Sequence, residues 1–333
     1  MKRKKIYLLV GLILTLFTLI GCSNNNSKKE TEKTTEVVTT ENEEKETIGV
    51  AWPFYEIKKD GQVKGHMLGT IHVAKEEIYP FPNEIVESLK ESENFITEVL
   101  MADLQGEETQ NVLMEKITSG EPLINTLNEE TKVEFLKTLE SYGLKEEKIA
   151  SFNRFGITQI TDALVYAPMV NFGVDMQLSS LSAKNENQKN IGLETIEEQY
   201  EILPKIYDVP ADSNEWAKSI LPYEENKKMN EELLQSYIDG NILEKYVDAD
   251  SLEVTEEQYN LLLVNRNLNW IKQLPQYLEK ENQSFIAVGA GHLPGEKGLI
   301  KLLEEEGYEV NLIEFSKEMS YLKSNSFFNY IFS

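Results

Sequence analysis

Two segments near opposite ends of the chain show the same succession of strand, helix and strand. In the first, residues 65–71 form an apolar run typical of a buried strand, and apolar residues at 85, 86 and 89 then recur at helical spacing. Residues 94–99 are mostly β-branched, aromatic or apolar, and they predict a second strand. This order is the βαβ pattern, so we expect the two strands to be parallel and adjacent.

The C-terminal segment repeats this pattern. Residues 284–289 predict a strand, and the apolar residues between 299 and 303 form one face of a helix. Gly307 is well placed to end that helix, after which residues 308–315 return as a strand. Similar units at both ends of the globular region indicate an internal pseudo-repeat.

The long middle part of the chain, from about residue 104 to 283, has mostly helical periodicity. Residues 190–194 are an exception and predict a short strand after a polar turn. We therefore predict an α/β fold in residues 49–333. Its small, mostly parallel central sheet is built from both chain ends, as two similar strand-Gly-x-x-His-helix-strand units, and a large helical insertion covers it.

The N-terminus has the composition of a secretory signal. A basic head at residues 2–5 precedes an apolar run that is too short for a good membrane span, so we interpret residues 1–21 as a signal peptide. The chain has a single cysteine, Cys22, at the lipidated position of a bacterial lipobox, which predicts a lipid anchor on the extracytoplasmic face of the cell membrane. An ordinary signal peptide or an uncleaved anchor is the alternative. Residues 22–48 are polar and predict a disordered tether.

The net charge of the chain is −24, and removal of the basic signal would make it more negative. A surface of this charge argues against nucleic acid or anionic lipid as a binding partner. The charge does not indicate any particular chemistry.

Only three histidines occur in the chain, and two of them share a motif. Gly69-Thr70-Ile71-His72 and Gly289-Ala290-Gly291-His292 each follow a predicted strand. Glu98 lies near the end of the second strand, and Glu194 ends the mid-chain strand. Because the carboxyl ends of parallel strands share one edge of a sheet, we expect these four ionisable residues to meet in one crevice.

Two imidazoles with one or two carboxylates suit a divalent ion such as Zn, Mn, Fe or Co. A bound ion of this kind favours hydrolysis, and a carboxylate outside its coordination sphere would act as general base. Either Glu98 or Glu194 could take that role. The alternative is that His72 and His292 are loop residues satisfied by backbone hydrogen bonds.

Further residues have two interpretations each. Gly69, Gly289 and Gly291 would allow a close approach of backbone or ligand at the turns before the histidines. Arg266 and Asn267 lie on a predicted helix, either facing solvent or pointing into the crevice to clamp a substrate carboxylate or orient a ligand carboxylate. Two weaker candidates are expected to pack or to face solvent: His66 and Glu314.

The motifs together resemble the TraB/GumN family, which includes the Tiki-type proteins. The resemblance rests on the two Gly-x-x-His motifs, Glu98, Gly192 to Thr195 with Gln199, and Val288 to Leu293. Gly173-Val174-Asp175 and Arg266-Asn267 also match. The resemblance implies that His72 and His292 are metal or catalytic residues, with Glu98 and Glu194 as their acidic partners. The His-Glu-x-x-His helix of many zinc proteases is absent.

Members of this family suggest several functions. Tiki-type proteins imply a metal-dependent protease with Mn or Co, and TraB-type proteins imply cleavage or sequestration of peptide pheromones. We therefore expect a surface-anchored, metal-dependent hydrolase that cleaves a peptide or protein outside the cytoplasm, using Mn, Co or Zn. The alternative is a binding lipoprotein that sequesters a peptide, haem or metal. A structural envelope protein with vestigial histidines is a third possibility.

Overall fold

The computed structural model describes residues 48–279 and 283–315. The predicted signal peptide, the lipidation site Cys22 and nearly all of the predicted tether lie outside these residues. Within them, no helix has the length and apolar character needed to cross a membrane.

A six-stranded mixed sheet forms the centre of the α/β fold. The described strands run in the spatial order β4-β3-β5-β2-β1-β6, and all of them except β1 point in the same direction. Their bounds are β1 (Phe54–Lys59), β2 (Gln62–Thr70), β3 (Asn94–Thr97), β4 (Lys189–Gly192), β5 (Ser284–Gly289) and β6 (Glu309–Leu312).

Strand β1 was missing from the sequence-based prediction. It pairs with β2 as an antiparallel hairpin whose two-residue turn is Asp60-Gly61. Both residues have positive φ angles, 54° and 74°, which a tight hairpin turn of this type requires and which Asp-Gly adopts readily. The Asp60-Gly61 pair in the sequence therefore indicates this hairpin.

The predicted adjacency of the first two parallel strands is wrong. Strand β5, from the C-terminal segment, lies between β2 and β3 and pairs in parallel with both. In the second unit, β6 pairs with β1 at the far edge of the sheet. The strands of the two units are therefore interleaved in the sheet. The apolar strand β5 lies in the interior of the sheet, where it is buried.

Helices fill most of the chain between β3 and β5, as the periodicity predicts. Short 3₁₀ turns occur at Glu76–Ile78, Asp103–Gln105, Val170–Phe172, Ile242–Tyr246 and Ala290–His292. The α-helices are α1 (Asn83–Glu91), α2 (Glu107–Thr118), α3 (Leu123–Thr126), α4 (Glu129–Glu140), α5 (Glu146–Ile149), α6 (Arg154–Tyr166), α7 (Val174–Ser182), α8 (Ile196–Tyr207), α9 (Ser213–Ser219), α10 (Tyr223–Asp239), α11 (Glu256–Tyr259), α12 (Asn265–Trp270), α13 (Pro275–Leu278) and α14 (Leu299–Glu305).

The two faces of the sheet contact separate apolar clusters. Along β5, Phe285 and Ala287 belong to the larger cluster, whereas Ile286 and Val288 belong to the smaller one. This alternation follows from the two-residue period of a strand. Most of the helices pack with the larger cluster, and residues from α12 to α14 cover the other face. Both faces of the sheet are therefore buried. A site can form at the carboxyl ends of the parallel strands, which the helices do not fill.

Candidate functional site

Four neighbouring parallel strands deliver the predicted site residues to one edge of the sheet. His72 lies two residues beyond β2, Glu98 directly follows β3, and Glu194 lies two residues beyond β4. His292 ends the 3₁₀ turn that follows β5. His72, Glu98 and His292 line one crevice of about 70 Å³, together with Arg266. The structure thus brings both Gly-x-x-His motifs together.

Arg266 lies at the centre of this group. Its Nη2 donates to Oε2 of Glu98 at 2.5 Å and also to Glu194, and its Nε lies 3.1 Å from Oε1 of Glu194. Its Nη1 donates to Nε2 of His292 at 3.0 Å. The side chain is almost fully buried, at 5 % exposure. Of the alternatives that the sequence left open, the structure therefore shows the one in which the arginine orients carboxylates of the site.

The helix around Arg266 has an unusual turn. Residues 256–270 form one helical run, as predicted, but a π-helical turn at Asn260–Val264 separates α11 from α12. Such turns are rare and are frequent at functional sites. Nη1 of Arg266 donates to the carbonyl of Leu262 inside this turn, at 3.2 Å. The irregular backbone therefore helps to hold the guanidinium in place.

The two glutamates have different electrostatic environments. Burial acts to raise the pKa of Glu98, but Arg266, His292 and His72 together hold that pKa well below its usual range. Burial raises the pKa of Glu194 above its usual value, in spite of the opposing charge of Arg266. Gln199 donates to Oε1 of Glu194 at 2.7 Å. Of the two carboxylates, Glu98 is the one that lines the crevice.

His292 is held as a neutral imidazole. Burial, followed by the charge of Arg266, lowers its pKa to about 3. Because Arg266 can only donate, Nε2 accepts and the proton lies on Nδ1, which donates to Oδ1 of Asn267 at 2.7 Å. Asn267 in turn donates to the His292 and Lys297 carbonyls at 3.1 and 2.8 Å. Asn267 therefore holds this ring in place, and its predicted contact with substrate stays a prediction.

His72 is the more accessible histidine, with 31 % of its side chain exposed. Its Nδ1 lies 2.8 Å from Oδ2 of Asp175, and Thr70 donates to the other oxygen of that carboxylate. Burial acts to lower the pKa of His72, but Asp175 overcomes it and raises the pKa to about 9. His72 is thus an imidazolium at neutral pH. Asp175 entered the sequence analysis only as part of a matching motif.

The glycines near the site stand where backbone and side chains come close. The amide of Gly289 donates to Oε1 of Glu98 at 2.7 Å. A Cβ at Gly291 would lie 2.7 Å from the ring of Tyr246, and one at Gly69 would lie 3.1 Å from the Ala290 backbone. The close approach predicted for these turns is therefore present.

The two weaker candidates lie away from the crevice. His66, within β2, stacks on the ring of Phe54 at 5.3 Å. Glu314 is exposed and follows β6, the strand at the far edge. The apolar half of the crevice was not predicted. It is lined by helical residues whose spacing resembles ordinary core, namely Leu203, Leu233, Ile242, Tyr246, Leu262 and Leu263.

The predicted divalent ion does not fit these residues as they are arranged. A metal-binding imidazole needs a free ring nitrogen, yet Asn267 and Arg266 engage both nitrogens of His292. Each oxygen of Glu98 accepts a hydrogen bond, one from Gly289 and one from Arg266, and keeps a second lone pair. Among residues 48–279 and 283–315, no group of three or more His, Cys, Asp or Glu side chains is arranged to hold an ion. The guanidinium supplies the positive charge between the carboxylates.

The fold and the site define an α/β protein with a crevice, charged on one side and apolar on the other, at the strand ends of a mixed sheet. The family model for the TraB/PrgY/gumN family matches residues 53–312, and the chain belongs to that family. This match extends over every strand and every site residue described above.

Two curated relatives are similar over most of their length. The uncharacterized protein YbaP of Shigella flexneri and that of Escherichia coli K12 are each 22 % identical to this chain over 255 residues. The alignments cover 76 % of this chain and 92 % of each relative. No solved structure matches the chain significantly.

Proposed function

We propose that this protein is a surface-anchored hydrolase that cleaves a peptide or protein substrate outside the cytoplasm. One observation carries the proposal: the partly exposed imidazole of His72, which is paired with Asp175, shares a crevice with the carboxylate of Glu98. Such a pair places a proton donor and a proton acceptor around one reacting group. The apolar half of the crevice offers a place for an amino-acid side chain of the substrate.

The residues suggest how an amide bond would break. The oxygen of a water molecule attacks the carbonyl carbon, a proton of that water passes to Glu98, the carbon–nitrogen bond breaks, and His72 gives a proton to the leaving nitrogen. The imidazolium also stabilises negative charge on the carbonyl oxygen. Because its pKa is low, Glu98 is a weak base, so we expect His72 to contribute more to the rate.

Two further parts of the proposal rest on other grounds. The lipid anchor and the extracytoplasmic location depend on residues 1–22 of the sequence. The divalent ion remains a prediction from the motif, and no step above depends on it. Elemental analysis of the purified protein tests it separately.

A binding protein without catalysis is the second candidate. The observation in its favour is that Arg266 forms ion pairs with both buried carboxylates and a hydrogen bond with His292. The charges of the cluster are therefore balanced within the protein, and no reacting substrate is needed to balance them. The same crevice would then hold a peptide, haem or metal without turning it over.

Incubation of the purified protein with a peptide library, followed by mass spectrometry, distinguishes the two candidates. We expect cleavage by the wild-type protein and loss of at least about a hundredfold in rate for His72→Gln, the scale of acid–base contributions. His66→Gln is the matched control, since that histidine lies within β2, the strand that precedes His72, and does not line the crevice. Peptides that are bound tightly but recovered intact would favour the binding protein. A parallel incubation with a chelator shows whether cleavage depends on a metal ion.

A further inference from the structure

A second pocket lies within the helical part of the protein, between α6, α8, α9 and α10. Its volume is about 80 Å³. Tyr142, Tyr166, Tyr207 and Trp216 contribute its aromatic lining, and Asp162 contributes a carboxylate. None of these residues belongs to the crevice of the two histidines, although Leu233 lines both pockets.

Asp162 is a buried acid without a cation. It is 7 % exposed, and in the described part of the chain no lysine, arginine or histidine forms an ion pair with it. Its one described hydrogen bond is a long one, 3.5 Å from Nδ2 of Asn226 to Oδ1. Burial raises its pKa to about 7, against the weak opposing effect of Asn226. Above about pH 7 this carboxyl would carry a charge that no described cation pairs, and buried charges in proteins are normally paired.

The sequence of α6 makes the burial of this acid more notable. Thr158, Gln159, Thr161 and Asp162 are consecutive or nearly so, and all four are buried. A helix that serves only as core would place apolar residues at such positions. Three of them, Thr158, Thr161 and Asp162, line the pocket.

The aromatic rings complete a site of a recognisable kind. Two of the tyrosine hydroxyls are already engaged, since Tyr142 donates to the carbonyl of Leu221 at 2.7 Å and Tyr166 donates to Asn230 at 2.5 Å. The hydroxyl of Tyr207 is buried and has no hydrogen-bond partner among the described residues. Aromatic faces attract a cation most strongly when the site is desolvated. The pocket therefore combines aromatic side chains, which can favour a cation, with one buried carboxyl that no described cation pairs.

The pocket is also reachable from outside. Ser219, Ile220 and Met229 are partly exposed at its margin, whereas Asp162 and Trp216 are buried. A volume of about 80 Å³ exceeds the ~30 Å³ share of a water molecule, and it accommodates an ammonium head with a short alkyl stem.

We propose that this pocket binds an alkylammonium group, with Asp162 as the counter-ion and the surrounding aromatic rings as the cage. The ammonium would come from a lysine side chain or from the N-terminus of a peptide. This proposal does not depend on hydrolysis in the crevice, because binding requires no reaction. Leu233 lines both pockets, so the two are neighbours.

Calorimetric titration of the full-length protein with n-butylammonium chloride tests the proposal. We expect saturable binding to the wild-type protein. The dissociation constant should be at least about tenfold higher for Asp162→Asn. The variant should fold, because it removes an unpaired buried charge and keeps the shape. Asp239→Asn, an exposed carboxylate on α10, is the matched control and should bind as the wild type does.

Uncharged n-butanol is the matched ligand and should bind much more weakly than the amine. Nα-acetyl-lysine methylamide and a lysine-free peptide with a free N-terminus then distinguish the two sources of the ammonium. Absence of butylammonium binding, equal affinity in Asp162→Asn, or equal binding of butanol would each overturn the proposal. All of these readouts are independent of peptide cleavage, so failure of the proposed hydrolase would leave them unchanged.

Discussion

Replacement of Asp162 by asparagine should stabilise the protein, and the gain should depend on pH in a defined way. Burial raises the pKa of this carboxyl from 3.8 to about 7. A shift of roughly three pKa units corresponds to about 4 kcal/mol of stability, which is an upper bound for one buried group. Asparagine keeps the shape and the acceptor for Asn226 and removes the ionisation.

The sign follows from which state ionises first. Below about pH 4 the acid is protonated in both states, and it has no net effect on stability. Between about pH 4 and pH 7 the unfolded chain ionises while the folded protein does not, so the wild type progressively loses stability. Above about pH 7 the full loss is present. The difference between Asp162→Asn and wild type should therefore grow from near zero at pH 4 to a plateau of up to about 4 kcal/mol at pH 8.

Urea unfolding of both proteins across this pH range measures the difference directly, because all other titrating groups cancel. Asp239→Asn should show a difference close to zero at every pH, since that carboxylate is exposed. A constant difference between Asp162→Asn and wild type across the range would refute the conclusion that Asp162 is buried without a cation.

Three further predictions concern the crevice and the elements that support it. Arg266→Met should destabilise the fold by about 3–5 kcal/mol in denaturant unfolding, since it leaves two buried carboxylates without their cation, and a loss below 1 kcal/mol would contradict the buried network. Thr195→Ala removes the capping box at the start of α8 and should cost about 1 kcal/mol of unfolding free energy; no loss would mean that the cap is not formed in solution. Gly173→Ala would place a Cβ 2.3 Å from the carbonyl oxygen of His72, so the rate of peptide cleavage should fall sharply. The control is Gly49→Ala, whose Cβ meets no neighbour within 4 Å and should leave the rate unchanged. Equal rates for the two variants would show that Gly173 does not constrain the backbone of His72.

The meeting of the two Gly-x-x-His motifs could be predicted because it depends on a local rule. Each motif follows a strand, and the strands are parallel, so the side chains that follow them share an edge. The role of Arg266 was open because a helical arginine is compatible with both solvent and site, and periodicity alone does not separate the two. Its partners, Glu98 and Glu194, are 168 and 72 residues away in sequence.

Other features depend on contacts that no local pattern contains. The place of β5 between β2 and β3 goes with the burial of a mostly apolar strand from the far end of the chain. Asp175 is at the start of a helix instead of a strand end, so the strand-edge rule could not find it. The second pocket was missed because its aromatic residues are spread over three helices and the turn after α4, and each one alone is typical of ordinary core.

Cleavage of a peptide in water enriched in ¹⁸O tests the central claim, that the crevice of His72 and Glu98 hydrolyses an amide bond. Mass spectrometry of the products reports whether solvent oxygen enters the new carboxyl terminus. We expect one ¹⁸O atom per cleavage event for the wild type and for His66→Gln, and almost no product for His72→Gln. Intact peptide in every sample, or equal product from His72→Gln, would contradict the account.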